Sequence, residues 1–449
     1  MISPARVAAY EILTAVSAGN ADLATAVAVA RAGVRDDRDR ALAVEIATGV
    51  QRWRGALDHV IASFAKRSLD RLDPEIVEIL RLSAYQLLHL TRVPASAVVD
   101  DAVDLARRAG KSSATGFVNA VLRAISRKRD ALPLPPSPRQ PGDRSAALEY
   151  LTVSLSHPRW LAARWYDRIG FDATERWARF NNEPAPITLR ANPARIAADE
   201  LADRLAASGV IVRQSALVPG ALIVEEGSAI RAVEEGICSV QDEASQLVGL
   251  LASRAAGART LDACAAPGGK TVMIAAAMPE SGVLVAADVR DRRMRRLART
   301  IAASGATNVH LVQADLLRPP PFRPAFDFVF VDAPCSGLGT LRRDPDIRWR
   351  RRESDLTSFA AAELTMLQHA AEAVAPGGRL MYGTCSSEPE ENEGVSDAFL
   401  ASTNRFVPVH ARDVWPAIPD TVIDARGHLR TDPVRHGLEA FFAAIFQLQ

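Results

Sequence analysis

The chain has 449 residues, of which 48% are hydrophobic and 24% are charged, and its formal net charge at pH 7 is +1. A chain of this length is longer than one that ordinarily folds around a single hydrophobic core, so we expect two or three domains. The composition is that of globular proteins and excludes disordered, collagen-like and disulfide-scaffold chains. Only four of the 54 basic residues are lysine, but a GC-rich genome also favours arginine codons. The arginine bias alone is therefore weak evidence for nucleic-acid binding.

The cysteines exclude two further classes of protein. Four cysteines in so long a chain do not build a secreted disulfide framework, and no pair has the spacing of a zinc ribbon. The N-terminal segment includes Glu11 and lacks the basic start and apolar run of a signal peptide. No segment approaches the roughly 18 uninterrupted apolar residues of a membrane span. We expect a reduced, cytoplasmic protein with no membrane segment and no metal.

Residues 1–130 show a helical pattern only. Apolar residues recur at spacings of three and four from Ile76 to Leu88, and Pro74 lies where a first-turn proline is tolerated. The pattern predicts an all-α N-terminal domain over residues 1–130. Its mild basic excess fits either an RNA-facing module or a solvated helical bundle.

Residues 131–145 contain five prolines and one glycine, which predict a semi-rigid linker.

Residues 146–235 mix two patterns and predict a small α+β central module. A helical stretch rich in aromatic residues precedes strand-like ITLRAN, helical LADRLAASGV and strand-like ALIVEE. Aromatic residues at helical spacing are typical of a core, so we favour this interpretation over base stacking. They are Trp160, Trp165, Tyr166, Trp177 and Phe180.

Residues 236–449 alternate between strand and helix patterns. The five apolar strands are RTLDACAA, GVLVAADV, NVHLVQAD, FDFVFVDAP and GRLMYGTC. Such a series predicts an α/β domain with a parallel sheet and helices on both faces. Because ligands of open α/β sheets bind beyond the carboxyl ends of the strands, we expect the functional residues there.

The first strand leads into a glycine-containing loop, LDACAAPGGKT at residues 261–271. A phosphate-binding P-loop would need glycine where the chain has Cys264, and no GxGxxG motif is present. The loop therefore indicates a nucleoside-type cofactor. Asp288 at the second strand end is placed to bind ribose hydroxyls, and Asp315 at the third to bind an adenine amino group. Each alone could be a helix cap or turn residue, but together they favour S-adenosyl-L-methionine (SAM) over NAD.

Two cysteines follow the last two of these strands. Asp332 and Cys335 lie at the fourth strand end and Cys385 at the fifth. An isolated buried cysteine is usually inert, but two at neighbouring strand ends favour exposed thiols with lowered pKa values. A thiolate that adds to C6 of cytosine makes C5 nucleophilic towards a methyl sulfonium, and a base later removes the C5 proton. The residues alone do not decide which thiol attacks.

Two arginine clusters flank these motifs. Residues 290–299 and residues 342–352 contain six arginines each. The first cluster is either a solvated helix face or part of an RNA surface. The second follows the Cys335 loop directly, which suggests contacts with substrate phosphates.

The motifs LDACAAPGGKT, VDAPCSGLGTLRRDPDIRWRR and YGTCSSEPEEN resemble the signatures of the RNA cytosine-C5 methyltransferases, the Nol1/Nop2/Sun family. The resemblance covers residues 236–449, with SVQDEASQLVG and HGLEAFFAAIFQ similar to the first helix and closing strand of the family's catalytic domain. Upstream, RALAVEIATGVQRWRGALDHVIA and GFVNAVLR resemble the NusB-like domain of bacterial members, and NNEPAPITLRAN the start of their central module.

The resemblance implies a multidomain protein with a Rossmann-like SAM-dependent methyltransferase domain behind an RNA-binding NusB-like domain. It implies that Cys385 is the nucleophile, that Cys335 assists product release, that Asp332 contacts the cytosine and that Lys270 helps to hold the site. The SAM contacts it implies are Cys264, Ala265, Ala266, Pro267, Gly268, Gly269, Lys270, Asp288, Asp315 and Asp332.

The bacterial members that the whole chain resembles imply small-subunit (16S) ribosomal RNA as the substrate. We expect a monomer whose target cytosine leaves its stack to reach the cleft. Two alternatives remain: the same chemistry on transfer RNA or large-subunit ribosomal RNA, and a non-catalytic RNA-binding or ribosome assembly factor. Lys270, Asp332, Cys335 and Cys385 argue against the second, since a retired site need keep none of them.

Overall fold

The N-terminal region is entirely helical, as the spacing of its apolar residues predicts. The computed structural model describes residues 2–140 and 142–449. Its first six helices are α1 (Pro4–Ser17), α2 (Leu23–Gly33), α3 (Asp37–Ala65), α4 (Pro74–His89), α5 (Ala95–Arg108) and α6 (Thr115–Arg127). Pro74 is the first residue of α4, where its missing N–H costs nothing. Ile79, Leu80 and Leu122 are fully buried between these helices.

The first compact unit continues beyond the proline-rich segment to Pro184 and also includes Leu341–Glu353. It adds α7 (Arg144–Glu149), a π-helical turn (Tyr150–Ser154) and α8 (Arg159–Asn182). The proline-rich segment, whose Pro141 lies outside the described residues, forms no helix or strand over residues 131–140, and Leu132 and Leu134 pack against this unit. Its carbonyls at Pro133 and Pro135 accept hydrogen bonds from His59 and Ser154. The domain limits predicted from the sequence remain a proposal.

Three of the five aromatic residues predicted to lie in the core, all on α8, are buried, whereas Trp160 and Tyr166 are half-buried. Trp165 is fully buried, and its ring lies 5.3 Å from that of Trp177. Trp177 and Phe180 are also buried, which leaves little of their faces for base stacking.

The second compact unit begins at Ala185 with an antiparallel sheet of strand order β2-β3-β1-β4. Its elements are β1 (Ile187–Ala191), α9 (Ala198–Ala207), β2 (Ile211–Gln214), β3 (Ala221–Glu226), α10 (Ile230–Glu234) and β4 (Cys238–Val240). Leu189 and Leu222 pack from the sheet against Leu201 and Leu205 of α9. The predicted strand–helix–strand order is confirmed, whereas β2 and β4 were not predicted because they are short and carry little apolar pattern.

Apart from one short helix that belongs to the first unit, the remaining elements form a larger sheet and its helices. In chain order they are α11 (Glu243–Ala255), β5 (Arg259–Asp262), α12 (Gly269–Ala277), β6 (Val283–Asp288), α13 (Asp291–Ser304), β7 (Val309–Gln313), β8 (Phe326–Asp332), α14 (Ile347–Arg350, within the first unit), α15 (Asp355–Ala371), β9 (Val374–Thr384), α16 (Glu393–Ser402), β10 (Phe406–Val409), α17 (Ala411–Val414), β11 (Leu429–Thr431), α18 (Pro433–His436) and β12 (Phe441–Leu448). Short 3₁₀ turns occupy Leu69–Arg71, Ser112–Ala114 and Asp420–Val422.

The five predicted strands pair in parallel in the order β9-β8-β5-β6-β7. The chain runs from β5 outward through β6 to β7, and then returns to the other side of β5 for β8 and β9. This reversal of direction beside β5 is where an open α/β sheet leaves a crevice for ligands. The topology therefore places the crevice at the carboxyl ends of β5 and β8.

The sheet is mixed rather than wholly parallel, because β12 runs antiparallel to β9 and carries β10 and β11 antiparallel on it. The buried run of Phe442, Ala444 and Phe446 marks β12 as a strand but carries no information on its direction. Both faces of the sheet are covered, as predicted. Phe328 and Phe330 of β8 pack on the side of α11 and α12, and the intervening residues face α15 and α16.

Candidate active site

The polar residues singled out in the sequence meet at one edge of the larger sheet. Asp262, Asp288 and Asp332 are the last residues of β5, β6 and β8, and Cys385 directly follows β9. Asp315 comes two residues after the end of β7. Because these strands are parallel, their carboxyl ends share an edge. The aspartate side chains line two neighbouring cavities. The Cys385 side chain forms a pair with Cys335.

The two thiols are in direct contact. The Sγ atoms of Cys335 and Cys385 lie 3.3 Å apart. The hydrogen bond with Cys385 raises the pKa of the Cys335 thiol well above its ordinary value, and burial and the charges of Cys385 and Glu391 add to the rise. Our expectation of a lowered pKa is therefore wrong for Cys335. The protonated form of Cys335 is therefore favoured, and its S–H can donate a hydrogen bond to the Cys385 sulfur.

A charged pair lies beside the thiols. Nζ of Lys270 donates to Oδ2 of Asp332 over 2.8 Å, and the ammonium lies 5.6 Å from the centre of the Phe441 ring. Burial disfavours the charge on Lys270, but Asp332, Asp242 and Cys385 outweigh it and raise the pKa of the ammonium. Lys270 therefore provides a permanent positive charge next to Cys385.

The glycine loop borders a cavity of about 260 Å³. Gly268 has φ +106°, and a Cβ there would lie 2.9 Å from the Leu297 side chain, so only glycine fits. Oδ2 of Asp262 accepts a hydrogen bond from Thr271, whereas its Oδ1 is buried without a partner among the described residues. The cavity is lined by Ser239, Val240, Gln241, Ser245, Asp262, Ala265, Pro267, Gly269, Lys270, Arg296, Thr300 and Asp332.

A second cavity, of about 320 Å³, lies on the side of β6 and β7. Cys264, Asp288 and Asp315 line it together with apolar residues that include Met366. The backbone N–H of Ala266 donates to Asp288 over 3.0 Å, so the carboxylate also fixes the glycine loop. Burial raises the pKa of Cys264 well above its ordinary value, which makes this thiol a lining group rather than a nucleophile.

The second arginine cluster differs from our expectation. Within the first compact unit, Arg348 is fully buried and its guanidinium donates to Asn182 Oδ1 and to the carbonyl of Ser156. An arginine with no exposed surface cannot bind a substrate phosphate, so for Arg348 the predicted phosphate contact is wrong. By contrast, Arg292, Arg296 and Arg299 of α13 are exposed.

Sequence reasoning missed several polar residues behind the site. Glu391 is fully buried and bonds to Ser336 and Ser386, the residues that follow the two thiols. Gln241 lines the first cavity, and its side-chain oxygen accepts a hydrogen bond from Arg190 over 2.7 Å. An acidic run such as EPEEN looks like a solvated loop in sequence. Only its proximity to YGTC could have suggested a role in the site.

Three family models match the chain. One described as 16S rRNA methyltransferase RsmB/F matches residues 250–447. The NusB family matches residues 3–127, and the RsmF/B-like ferredoxin-like domain matches residues 157–231. The probable ribosomal RNA small subunit methyltransferase B of Bacillus subtilis is 32% identical over 416 residues, which cover 90% of each chain. The chain belongs to the RsmB/F family of 16S rRNA methyltransferases.

Other relatives extend the match over nearly the whole length. The putative methyltransferase Rv1407 of Mycobacterium tuberculosis is 37% identical over 457 aligned positions, 99% of this chain and 96% of that protein. The crystal structure of PH0851 is 27% identical, with a TM-score of 0.80 and 99% of both chains covered. The predicted fold class of this RsmB/F protein is confirmed: a NusB-like all-α domain, a ferredoxin-like α+β module and a Rossmann-like methyltransferase domain.

Membership in the RsmB/F family makes the protein a SAM-dependent methyltransferase, as predicted. The site fits this cofactor. The cavity beside Asp288 and Asp315 has the apolar lining and volume of a nucleoside pocket, and the unpartnered oxygen of Asp262 is an acceptor for an amino group.

In residues 2–140 and 142–449, no helix is both long and apolar enough to cross a membrane. Across the same part of the chain, no cluster of three or more histidine, cysteine, aspartate or glutamate residues could hold a metal ion.

Proposed function

We propose that this methyltransferase modifies C5 of a cytosine in small-subunit (16S) ribosomal RNA through a covalent adduct between Cys385 and C6 of the base. The observation that carries the proposal is the thiol pair, with a separation of 3.3 Å, beside the ion pair of Lys270 and Asp332. Cytosine C5 is too weak a nucleophile to take up a methyl group unaided, and a thiolate at C6 supplies what it lacks. A methyltransferase acting on a nitrogen or oxygen atom needs no such pair.

The electrostatics favour Cys385 as the nucleophile. The raised pKa of Cys335 favours its protonated form, and its S–H can donate a hydrogen bond to the Cys385 sulfur 3.3 Å away. Lys270 adds a fixed positive charge on the Cys385 side. This asymmetry supports the roles that the family resemblance implies, Cys385 attacking and Cys335 assisting release.

The remaining groups orient the reactants. Asp332, held by Lys270, contacts the cytosine ring as Cys385 adds to C6. SAM, when bound, supplies the electrophilic methyl group that C5 takes up. A base then removes the C5 proton, whose electron pair forms the C5–C6 double bond, and the Cys385 sulfur leaves C6 with the electrons of the C–S bond. Cys335 assists this step by donating its S–H to the leaving sulfur. We assign the SAM contacts to the lining of the two cavities and the glycine loop: Cys264, Ala265, Ala266, Pro267, Gly268, Gly269, Lys270, Asp288, Asp315 and Asp332.

The relatives named as small-subunit methyltransferases support 16S ribosomal RNA as the substrate. We propose that residues 1–130 and 146–235, joined by the 131–145 linker, bind RNA around the target, and that residues 236–449 methylate it. The protein acts as a cytoplasmic monomer in this proposal.

The test incubates the protein with labelled SAM and unmodified 16S ribosomal RNA, with transfer RNA and large-subunit RNA in parallel reactions. Bisulfite sequencing locates any 5-methylcytosine. We expect one modified cytosine in 16S RNA, lost in Cys385→Ala and retained in Cys238→Ala, a matched change at a buried cysteine of β4. Cys335→Ala is expected to accumulate a protein–RNA adduct that resists denaturing electrophoresis, because release is impaired.

Each other outcome has a definite meaning. Methylation of transfer RNA or large-subunit RNA alone would support the proposed reaction and contradict 16S RNA as its substrate. Methylation by Cys385→Ala at the wild-type rate would reject the covalent mechanism. No methylation of any RNA, with RNA binding intact, would favour the assembly factor.

A further inference from the structure

One buried carboxylate bonds to both of the loops that carry the thiols. Oε1 of Glu391 accepts the backbone N–H of Ser336 over 2.6 Å, and its Oε2 accepts the Ser336 hydroxyl over 2.6 Å. Oε2 also accepts the hydroxyl of Ser386. Ser336 directly follows Cys335, and Ser386 directly follows Cys385. The same carboxylate therefore holds the residue next to each thiol.

This arrangement is sealed from solvent. Glu391 and Ser336 are fully buried and Ser386 is 1% exposed, so water cannot replace a broken hydrogen bond. The two serine hydroxyls also lie 3.3 Å from each other. Charge-assisted hydrogen bonds in such surroundings are strong, and leaving one of their groups unpaired is costly. The loops after β8 and β9 are thus joined by the carboxylate as well as by the sheet.

We infer that Glu391 is a positioning residue that fixes the Cys335 loop to the Cys385 loop and thereby sets the separation of the two thiols. It acts through Ser336 and Ser386, and not on the substrate. The consequence for catalysis rests on the proposed function, since the separation matters only if one thiol attacks and the other assists. The effect of Glu391 on the separation itself does not depend on that function.

A second buried carboxylate nearby provides a matched control. Glu363 is fully buried and accepts a hydrogen bond from the Tyr382 hydroxyl over 3.0 Å. Burial, followed by the charge of Glu391, raises the pKa of Glu363 to about 10. At neutral pH Glu363 thus carries a proton that it can donate to Glu391, its side-chain hydrogen-bond partner, and Glu363→Gln keeps this donor in a near isostere. Glu391→Gln, in contrast, turns one of two acceptor oxygens into a donor that faces N–H or O–H groups.

The first measurement is the rate at which a diazenedicarboxamide oxidant joins the two thiols. Each rate is divided by the thiolate fraction from a pH titration of the same variant, because the charge of Glu391 also raises the pKa of Cys335. The oxidant takes two electrons and two protons from Cys335 and Cys385, leaving a disulfide and a hydrazine, and peptide mass spectrometry quantifies the product. We expect equal rates in the wild-type protein and Glu363→Gln. In Glu391→Gln we expect a rate lower by about tenfold or more, the effect of removing one charge-assisted hydrogen bond. Ser386→Ala, which frees only the Cys385 loop, should give a smaller decrease.

The second measurement is methyl transfer to RNA by the same variants. In Glu391→Gln we expect kcat to fall by about tenfold or more with KM for SAM unchanged, because Glu391 lines neither cavity. SAM binding by calorimetry reports that each variant is folded. If Glu391→Gln does not bind SAM, Ser386→Ala decides the question.

The outcomes separate this inference from the proposed function. A wild-type rate of disulfide formation in Glu391→Gln, or in Ser386→Ala where the first variant is unfolded, overturns the inference regardless of methylation. Slower disulfide formation without methylation by any protein, wild type included, retains the positioning role and counts against the proposed function.

Discussion

At the scale of single residues, the four cysteines show that one type of side chain has different roles in different surroundings. Burial raises the pKa of Cys238 to about 11 in β4, where the side chain packs into the core of the small sheet. Cys264 lines the nucleoside-type cavity with its proton held in place. The hydrogen bond with Cys385 and burial raise the pKa of Cys335, so its S–H can donate to Cys385. The sequence motifs place the thiols, and burial, hydrogen bonds and neighbouring charges determine their protonation states.

Asp262 gives a prediction on pH and stability. Burial raises its pKa to about 7 from 3.8, although the hydrogen bond from Thr271 opposes the rise. The folded protein holds this proton more tightly than the unfolded chain does. The stabilising contribution of Asp262 to the folded state is therefore fully present below pH 3.8 and is lost as pH rises through about 7. The shift corresponds to about 4 kcal/mol in the free energy of unfolding. Asp262→Asn should remove this loss.

The measurement is urea unfolding at about pH 5 and about pH 8, on either side of the folded-state pKa. The wild-type protein should lose more stability between the two than Asp262→Asn does. Asp203→Asn, at an exposed aspartate of α9, serves as the control and should behave as the wild-type protein. Equal pH dependence in the wild-type protein and Asp262→Asn would show that Asp262 is not the group responsible.

At the scale of elements, the segment after the Cys335 loop shows where local pattern fails. Six arginines in residues 342–352 suggest an exposed basic surface, yet Leu341–Glu353 belongs to the first compact unit. There the Trp349 Nε1–H donates to the Gln51 carbonyl over 2.6 Å, and Asp346 accepts the Leu23 N–H. A row of arginines has the same appearance in sequence whether it faces water or a set of carbonyls.

Arg348 therefore gives a prediction on stability instead of RNA binding. Its guanidinium donates to Asn182 Oδ1 and to carbonyls of Ser156 and Asn181, all buried. Arg348→Ala leaves these acceptors unpaired around a cavity, which should lower the free energy of unfolding of the first unit by about 3 kcal/mol or more. Arg350→Ala, which removes an arginine whose side chain is 42% exposed, should cost about 1 kcal/mol or less. Denaturant unfolding followed by tryptophan fluorescence measures both; equal decreases would contradict the burial argument.

The short strands are a second group of elements that local sequence pattern does not predict. The five strands of the parallel sheet can be predicted because each carries apolar residues next to a polar motif at its carboxyl end, including β5 with only four residues. In contrast, β2, β4 and β11 have three or four residues each, and their partners define them as strands. Segments of this length gain too little from local propensity to be recognised without the sheet that pairs them.

At the scale of the whole molecule, a net charge of +1 conceals an uneven distribution of arginine. Helix α13 presents Arg292, Arg296 and Arg299 to solvent, and Arg296 also lines the cavity beside Lys270. Replacing all three by alanine should weaken binding to 16S RNA, because fewer RNA phosphates are then neutralised by the protein. The slope of log affinity against log salt should fall by about 0.7–0.9 for each such phosphate. Filter binding at several salt concentrations measures this slope.

The control for that measurement is Arg204→Ala, which removes an exposed arginine of α9 that is already paired with Glu235 over 2.7 Å. It should leave the slope near that of the wild-type protein. A triple variant with the wild-type slope would show that α13 is a solvated face only.

The sequence by itself determined the helical N-terminal region, the order of the parallel strands along the chain and the residues that follow their ends. These depend on local periodicity and on motifs of about ten residues, which the chain carries wherever it folds. Only the tertiary structure decided that the thiols lie 3.3 Å apart, that Glu391 joins their loops and that Arg348 is buried. Cys335 and Cys385 are 50 residues apart, and Arg348 and Asn182 are 166 apart. Such contacts arise from packing between distant segments, and no local pattern encodes a distance between two groups that only packing brings together.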